Sequence, residues 1–199
     1  MPTVKLEPVT LTGEVIRLEP LRPEHVAPLL FVGLDPELWR WTATRIETRA
    51  DLERYVNDAI AEQNAGTALP FATVELATGR VIGSTRFGNL VPEYKRGEIG
   101  WTWVTPELQR SAVNTEAKLL MLSQAFDTWG FRRVEFKTST RNEKSRNALV
   151  RIGAIQEGIF RQHMTHADGS LRDTVYYSIV REEWPAIKAK LRARLDAGR

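Results

Sequence analysis

Few residues in this chain pair a reactive side chain with a position that could use it. Glu98 opens the strand-like run Glu98-Ile-Gly-Trp-Thr-Trp-Val104 and carries its one carboxylate. A strand carboxylate can act as a general base toward an amine, and it can equally be a salt-bridged structural residue. The run is followed by Gln109-Arg110-Ser111-Ala112-Val113-Asn114-Thr115-Glu116-Ala117-Lys118, a turn leading into a helix. Backbone N–H groups converge at such a turn and the helix dipole adds positive charge, a setting for pyrophosphate. The same residues would also make an ordinary strand-to-helix connection capped by Asn114 or Thr115. Farther on, Asn142 stands at the expected start of a helix as its N-cap. Ser145 lies three residues later, where its hydroxyl turns back toward the helix start. Trp39 and Trp41 mark an aromatic loop that could wall a pocket or pack in the core.

What is missing narrows the chemistry. The chain contains no cysteine, so thiolate nucleophiles, thiolate metal ligands and disulfides are excluded. His163 and His166 fall on one expected strand at a spacing that turns them to opposite faces, so no metal site is expected. Net charge is +3, from 28 Lys+Arg against 25 Asp+Glu, without a basic run, and nucleic acid is not an expected partner. No apolar stretch approaches the roughly 20 residues that span a bilayer, and residues 1–10 hold no apolar signal-peptide region. A soluble, cytoplasmic protein is expected. With 199 residues, 42% of them apolar, the chain can fill the core of one domain, taken here as residues 1–199.

The elements that must position these residues follow from periodicity. Val15–Leu18 is predicted as a first strand, Glu24–Leu34 as a short helix and Asp51–Asn64 as a second. Phe71–Leu76 and Val81–Phe87 form a hairpin through Ala77-Thr78-Gly79-Arg80. In Glu98–Val104, strict alternation puts Trp101 and Trp103 on one face and Glu98, Gly100 and Thr102 on the other. Thr115–Gly130 is predicted as a helix with a wide apolar face, Arg133–Thr140 as a strand, and Asn142–Ile152 as a helix stopped by Gly153. Strands near 158–164 and 174–180 flank Ala167-Asp168-Gly169-Ser170. Trp184, Ile187, Leu191 and Leu195 then mark an amphipathic helix over about 182–197. Lys188, Lys190, Arg192 and Arg194 would form its solvated face. The fold class is α/β (α+β), with a mixed, mainly antiparallel sheet flanked by helices.

The turn resembles the coenzyme A-binding motif of the GNAT superfamily of N-acetyltransferases, Gln/Arg-x-x-Gly-x-Gly/Ala. Gln109 holds its first position, while Ala112 and Asn114 replace its two small residues. A turn without glycine needs negative φ angles or a left-handed Asn114. Thr115-Glu-Ala-Lys118, Asn142-Glu-Lys-Ser145, Ile152-Gly-Ala154, Glu157-Gly158 and Arg172-Asp-Thr-Val-Tyr-Tyr-Ser178 are similar to the ribosomal-protein alanine acetyltransferase (RimJ/RimL-like) branch. The resemblance runs from about Leu11 to Trp184. It implies a GNAT fold in which acetyl-CoA lies between two splayed parallel strands, 98–104 and 133–140. Gly100 would sit at a bulge or close approach, and pantetheine amides would pair near Trp103 and Val104. Pyrophosphate would sit on the N–H groups from Arg110 to Thr115, with Asn142 beside the cofactor.

By the same resemblance Glu98 is the candidate base and Ser145 would assist the departing CoA thiolate. Trp39 and Trp41 would line the acceptor pocket. The implied reaction moves an acetyl group to a primary amine, either a protein N-terminus or a small molecule. Without cysteine it proceeds by direct attack in a ternary complex. A non-catalytic acyl-CoA sensor or scaffold module is the rival reading. The exposed edges of the final strands leave room for a homodimer.

Overall fold

The computed structural model describes residues 6–198. Met1–Lys5 and Arg199, the outermost residues of the expected domain, lie outside the described residues. The chain forms β1 (Leu11–Thr12), β2 (Ile16–Pro20), α1 (Val26–Gly33), α2 (Arg49–Asn64), β3 (Leu69–Glu75), β4 (Val81–Val91) and β5 (Arg96–Val104). It continues through α3 (Ala112–Ser123), β6 (Arg133–Ser139), α4 (Glu143–Ile152), β7 (Ile155–Thr165), β8 (Leu171–Val180) and α5 (Trp184–Ala197). One sheet in the order β1-β2-β3-β4-β5-β6-β8-β7 holds every strand. Each neighbouring pair is antiparallel except β5 and β6, which are parallel. This is the mixed, mainly antiparallel α/β arrangement read from the sequence.

Local chemistry sets most of the helix ends. Thr48 and Asp51 cap α2 reciprocally: the Thr48 hydroxyl accepts from Asp51 N–H and the Asp51 carboxylate accepts from Thr48 N–H. Asn142 Oδ1 accepts from Ser145 N–H at 3.0 Å and starts α4. Gly153, at φ 98°, ends it. The structure departs from expectation in α3. That helix begins at Ala112, three residues early, because the Ser111 hydroxyl accepts from Val113 N–H and takes the cap that Asn114 or Thr115 was expected to provide. A π turn over Gln124–Thr128 follows it.

The sheet divides two cores. On one face α3, α4 and α5 bury Ile99, Met121, Phe136, Ile152, Val175, Tyr177 and Trp184. On the other, α1 and α2 enclose Leu29, Val32, Trp39, Leu52, Tyr55, Val56 and Trp103. These two helices pack mainly on β4 and β3. They belong to the first half of the chain and lie over the half of the sheet it forms.

One buried charge ties the β1–β2 turn to α3. The Glu116 carboxylate accepts from the N–H groups of Glu14, Val15 and Ile16 at 2.8, 2.8 and 2.7 Å. A Cβ on Gly13 would lie 2.4 Å from its carboxyl carbon, so only glycine leaves room there. Three backbone donors, buried or partly so, thus depend on one side chain. Glu116→Ala should lower the unfolding free energy by about 3 kcal/mol or more, read from urea unfolding midpoints. A loss below about 1 kcal/mol would show that water replaces the carboxylate at little cost.

Candidate active site

The site is built where β5 leaves β6. The parallel ladder joins only Arg96, Gly97 and Glu98 to Arg133, Val134 and Glu135. Past Glu98 the two strands part, so the β5 backbone from Ile99 onward turns an open edge toward β6. Within that stretch β5 is bulged. Arg86 pairs with Gly100 and Ser84 with Trp103, so three steps on β5 match two on β4. Trp101 takes the left-handed conformation at φ 50°.

The bulge overturns the strict alternation read from the sequence. Glu98 and Gly100 share a face, since a Cβ on Gly100 would lie 3.0 Å from Glu98 Oε1. Trp101 and Trp103 both pack toward the α1–α2 core on that same face. Thr102 is turned to the opposite side, where its Oγ1 meets Thr85 Oγ1 at 2.7 Å and accepts from Lys118 Nζ at 2.9 Å. One extra residue therefore gathers the carboxylate and both indoles on one side. Gly88 on β4 makes space for the Trp101 ring, whose atoms a Cβ there would meet at 2.5 Å.

Glu98 is buried at 3% exposure. Its Oε2 accepts from Asn89 Nδ2 at 2.7 Å and pairs with Lys137 Nζ at 3.0 Å. A cavity of about 380 Å³ opens beside it, lined by Glu98, Glu135, Asn89, Leu90 and Tyr176 among others. Lys137 and the buried Arg86 also face the Trp101 ring, 5.8 and 5.0 Å from its centroid. Arg86 is held by Glu62 at 2.7 Å.

On the other side of the parting strands lies the start of α3. Arg110, not Asn114, takes the left-handed conformation, at φ 64°. Ala112 and Asn114 are the first and third residues of the helix and need no glycine. Ser111, Ala112 and Asn114 occupy the cap, first and third positions, whose N–H groups have no partner inside a helix. Val113 N–H is taken by the Ser111 hydroxyl, and Thr115 is buried. Gln109 donates from Nε2 to Val104 O at 3.4 Å, holding the turn against the end of β5. Ser145 is half-buried in the first turn of α4. An open strand edge thus leads toward a set of helix N–H groups left free at the start of α3. That set fits an extended chain of amides ending in a pyrophosphate, the shape of coenzyme A.

The two tryptophans of the aromatic loop have different fates. Trp39 is a core residue instead of a pocket wall: its Nε1 donates to Gly33 O at 2.7 Å and its ring lies 5.3 Å from that of Trp103. Trp41 is half-buried and meets the His166 ring at 5.9 Å. The Trp103 side chain also belongs to this core, donating from Nε1 to Tyr55 Oη at 3.2 Å. At Trp103 only the backbone is available for pairing.

Residues that the sequence reading passed over complete the site: Asn89, Lys137, Arg86 and Lys118. Lys118 had a visible signal, a cation on the buried stripe of α3 with Thr115 and Leu122. Burial pulls its ammonium from 10.5 down to about 7. The unfolded chain restores the ordinary value, so it binds more protons than the folded chain between about pH 7 and 10, and stability rises with pH across that window. The stability difference between wild type and Lys118→Met should move in favour of wild type from about pH 7 to about pH 9, by up to about 1.4 kcal/mol per pH unit. Urea melts of both proteins measure it, and a difference that does not change with pH would refute the depressed ammonium.

Comparison with known proteins agrees with this geometry. Residues 16–155 match the family model described as an acetyltransferase (GNAT) domain. The chain is 32% identical over 113 residues to a Bacillus subtilis (strain 168) protein named as a ribosomal N-acetyltransferase, YdaF. That match covers 57% of this chain and 61% of YdaF, just under two thirds of the relative's length. A crystal structure of a GCN5-related N-acetyltransferase from Brucella melitensis superposes with a TM-score of 0.88 at 33% identity, over 98% of this chain and 88% of the other. Mycobacterium smegmatis RimJ, solved with CoA-disulfide, shares the fold at a TM-score of 0.82 and 24% identity, over 94% of this chain and 95% of its own. The RimJ/RimL-like motifs of the sequence agree with the name of the first relative and the fold of the last. With two thirds of its length under the family model, and its parallel strands parting beside a helix N-terminus, the chain belongs to the GNAT acetyltransferase family.

Proposed function

We propose that this protein transfers the acetyl group of acetyl-CoA to a primary amine by direct attack within a ternary complex. The observation that carries the reading is the parting of β5 and β6 past Glu98, with Glu98 and Trp101 on one side and the α3 N-terminus on the other. Two substrates entering from opposite faces can meet in such a gap, and the gain is one of proximity and orientation. When bound, the thioester supplies the acyl group. The residues of the chain do the rest.

The open edge of β5 at Trp103 and Val104 would take the pantetheine amides as an added strand does. The N–H groups of Arg110, Ser111, Ala112 and Asn114 would take the pyrophosphate. Asn142 is committed to capping α4 and contributes through the position it gives Ser145, whose hydroxyl would support the departing thiolate. Glu98, fixed by Asn89 and Lys137, would accept the proton of the amine, directly or through water. Both a protein N-terminal amine and a small-molecule amine suit this arrangement. An α-amine, with a pKa near 7.7–8.0, needs less of Glu98 than a lysine-type amine near 10.4. The YdaF relative is named for a ribosomal acceptor. The absence of any described helix long and apolar enough to cross a membrane fits a cytoplasmic setting.

Acetyl-CoA at 100 times its Kd should add roughly 2.7 kcal/mol to stability, visible as a rise in Tm. Ala112→Asp should abolish that rise, since its carboxylate would repel the pyrophosphate. No shift with wild-type protein at millimolar acetyl-CoA would refute the cofactor.

Ser145→Ala and Glu98→Gln separate the chemistry from the scaffold. Each should lower kcat by roughly 10²-fold while leaving the acetyl-CoA Kd in place. For Glu98→Gln the loss should be larger with a lysine-type amine than with an α-amine. Equal, small losses on both amines would remove Glu98 from the reaction. Bound acetyl-CoA without thiol release on any amine would favour a sensor module.

A further inference from the structure

The acceptor face carries one buried charge that the protein does not balance. Three carboxylates there are matched by cations of the chain: Glu62 by Arg86, Glu98 by Lys137, and Glu135 by Arg96 and Arg133. Arg172 has no such match. It is 7% exposed, and among the described residues its side chain makes no hydrogen bond and no ion pair. Its Nε is fully buried and unpartnered. Burial pulls the guanidinium below its ordinary range, and the Glu98 and Tyr176 side chains act on it electrostatically. A buried charge left without a partner is costly, so its retention points to a counter-charge that arrives from outside.

The surroundings suit that reading. Residues 175, 177 and 179 of β8 face the α3–α5 core, so Arg172, Thr174 and Tyr176 face the acceptor side. Thr174 Oγ1 is buried without a partner, and Ser139 stands opposite it on β6. His166, 4% exposed, has its Nδ1 buried and unpartnered and its Nε2 3.4 Å from Ser139 Oγ. Burial and the charges of Arg172 and Arg141 lower its pKa. Trp41 closes over this ring. Arginine is the residue whose planar fork matches a carboxylate.

We infer that Arg172 is a specificity-determining residue of the acceptor site, reading a carboxylate carried by the same small molecule as the reacting amine. This rests on the amine-acetylation reading above and narrows it to an amino-acid-type acceptor. The amine lies toward Glu98 and the carboxylate toward Arg172, with Tyr176 bordering both. No covalent step involves Arg172. It binds and orients.

The test compares acceptors with and without the anion, β-alanine and glycine against β-alaninamide and glycinamide, each rate corrected for its own fraction of unprotonated amine, with acetyl-CoA saturating. The carboxylates should show a kcat/KM at least 10-fold above the amides, expressed mainly in KM. Arg172→Met should bring that ratio to near one, and Arg172→Lys should keep part of it, with the acetyl-CoA Kd within twofold of wild type in both. A second measurement needs no turnover: N-acetyl-β-alanine should raise the Tm of wild type, N-acetyl-β-alaninamide should not, and Arg172→Met should respond to neither. Because it removes an unbalanced buried charge, Arg172→Met should itself melt no lower than wild type. A wild-type ratio near one, or a ratio unchanged in Arg172→Met, overturns the proposal. So does a loss confined to acetyl-CoA binding, which would assign Arg172 to the cofactor phosphates. If no amine is acetylated but the acetylated acid still protects only wild type, the acetyl-transfer reading fails and the carboxylate subsite stands.

Discussion

The three-residue limit on the pairing of β5 with β6 shapes everything else in this molecule. Two parallel strands that remain paired bury their backbone groups in each other and leave no cleft. Here the ladder ends at Glu98, and the extra residue at Trp101 bends β5 away before the ladder can extend. The bulge has its own supports. Gly88 clears space for the displaced indole, Trp103 is anchored among Trp39 and Tyr55, and Thr102 is tethered from the opposite face by Lys118. A left-handed tryptophan is costly, and such strain persists where its surroundings over-determine it. In exchange, backbone groups of β5 are offered to a ligand in a strand-like array.

Buried charges divide into those the fold satisfies and those it does not. Glu116 is fully used, closing three backbone donors of the β1–β2 turn and holding α3 in place, so the helix start that faces the cleft is fixed from behind. Glu98 is held by an amide and an ammonium but keeps Oε1 toward Gly100. Lys118 has a hydroxyl and no carboxylate, and its depressed pKa records that lack. Arg172 makes no hydrogen bond or ion pair among the described residues, and Glu98 and Tyr176 act on it only electrostatically. Glu116 builds the fold and is satisfied by it, while the carboxylate proposed for Arg172 would complete that group.

The far edge of the sheet has a different character. β7 is exposed along nearly its whole length, and Ile155, Ile159 and Phe160 stand more than half exposed beside Leu171. It pairs only with β8, which carries Arg172 and Tyr176. A register shift between Phe160 and Met164, with Gln162 left-handed at φ 49°, bends the strand and roughens the edge it presents.

The sequence by itself determined the elements and their order, because periodicity and capping are local. The apolar stripe of α5, the Gly153 stop, the Asn142 cap and the hairpin of β3 and β4 depend on neighbours a few residues away, and all were legible. Gln109 and the residues after it were legible as a turn leading into a helix. What failed depended on contacts between distant segments. The start of α3 moved to Ala112 because Ser111 outcompeted Asn114 for the cap, with Glu116 reaching back about a hundred residues to fix the helix. The bulge at Trp101 reversed the face of Thr102, since one residue of slip changes every side-chain direction beyond it. Trp39 went to the core and Trp41 to the rim through packing against Trp103 on one side and His166 on the other. Which charges are paired and which are left open is likewise a property of the assembled sheet. Arg172 reads as an ordinary strand arginine until β5, β6 and β8 are side by side.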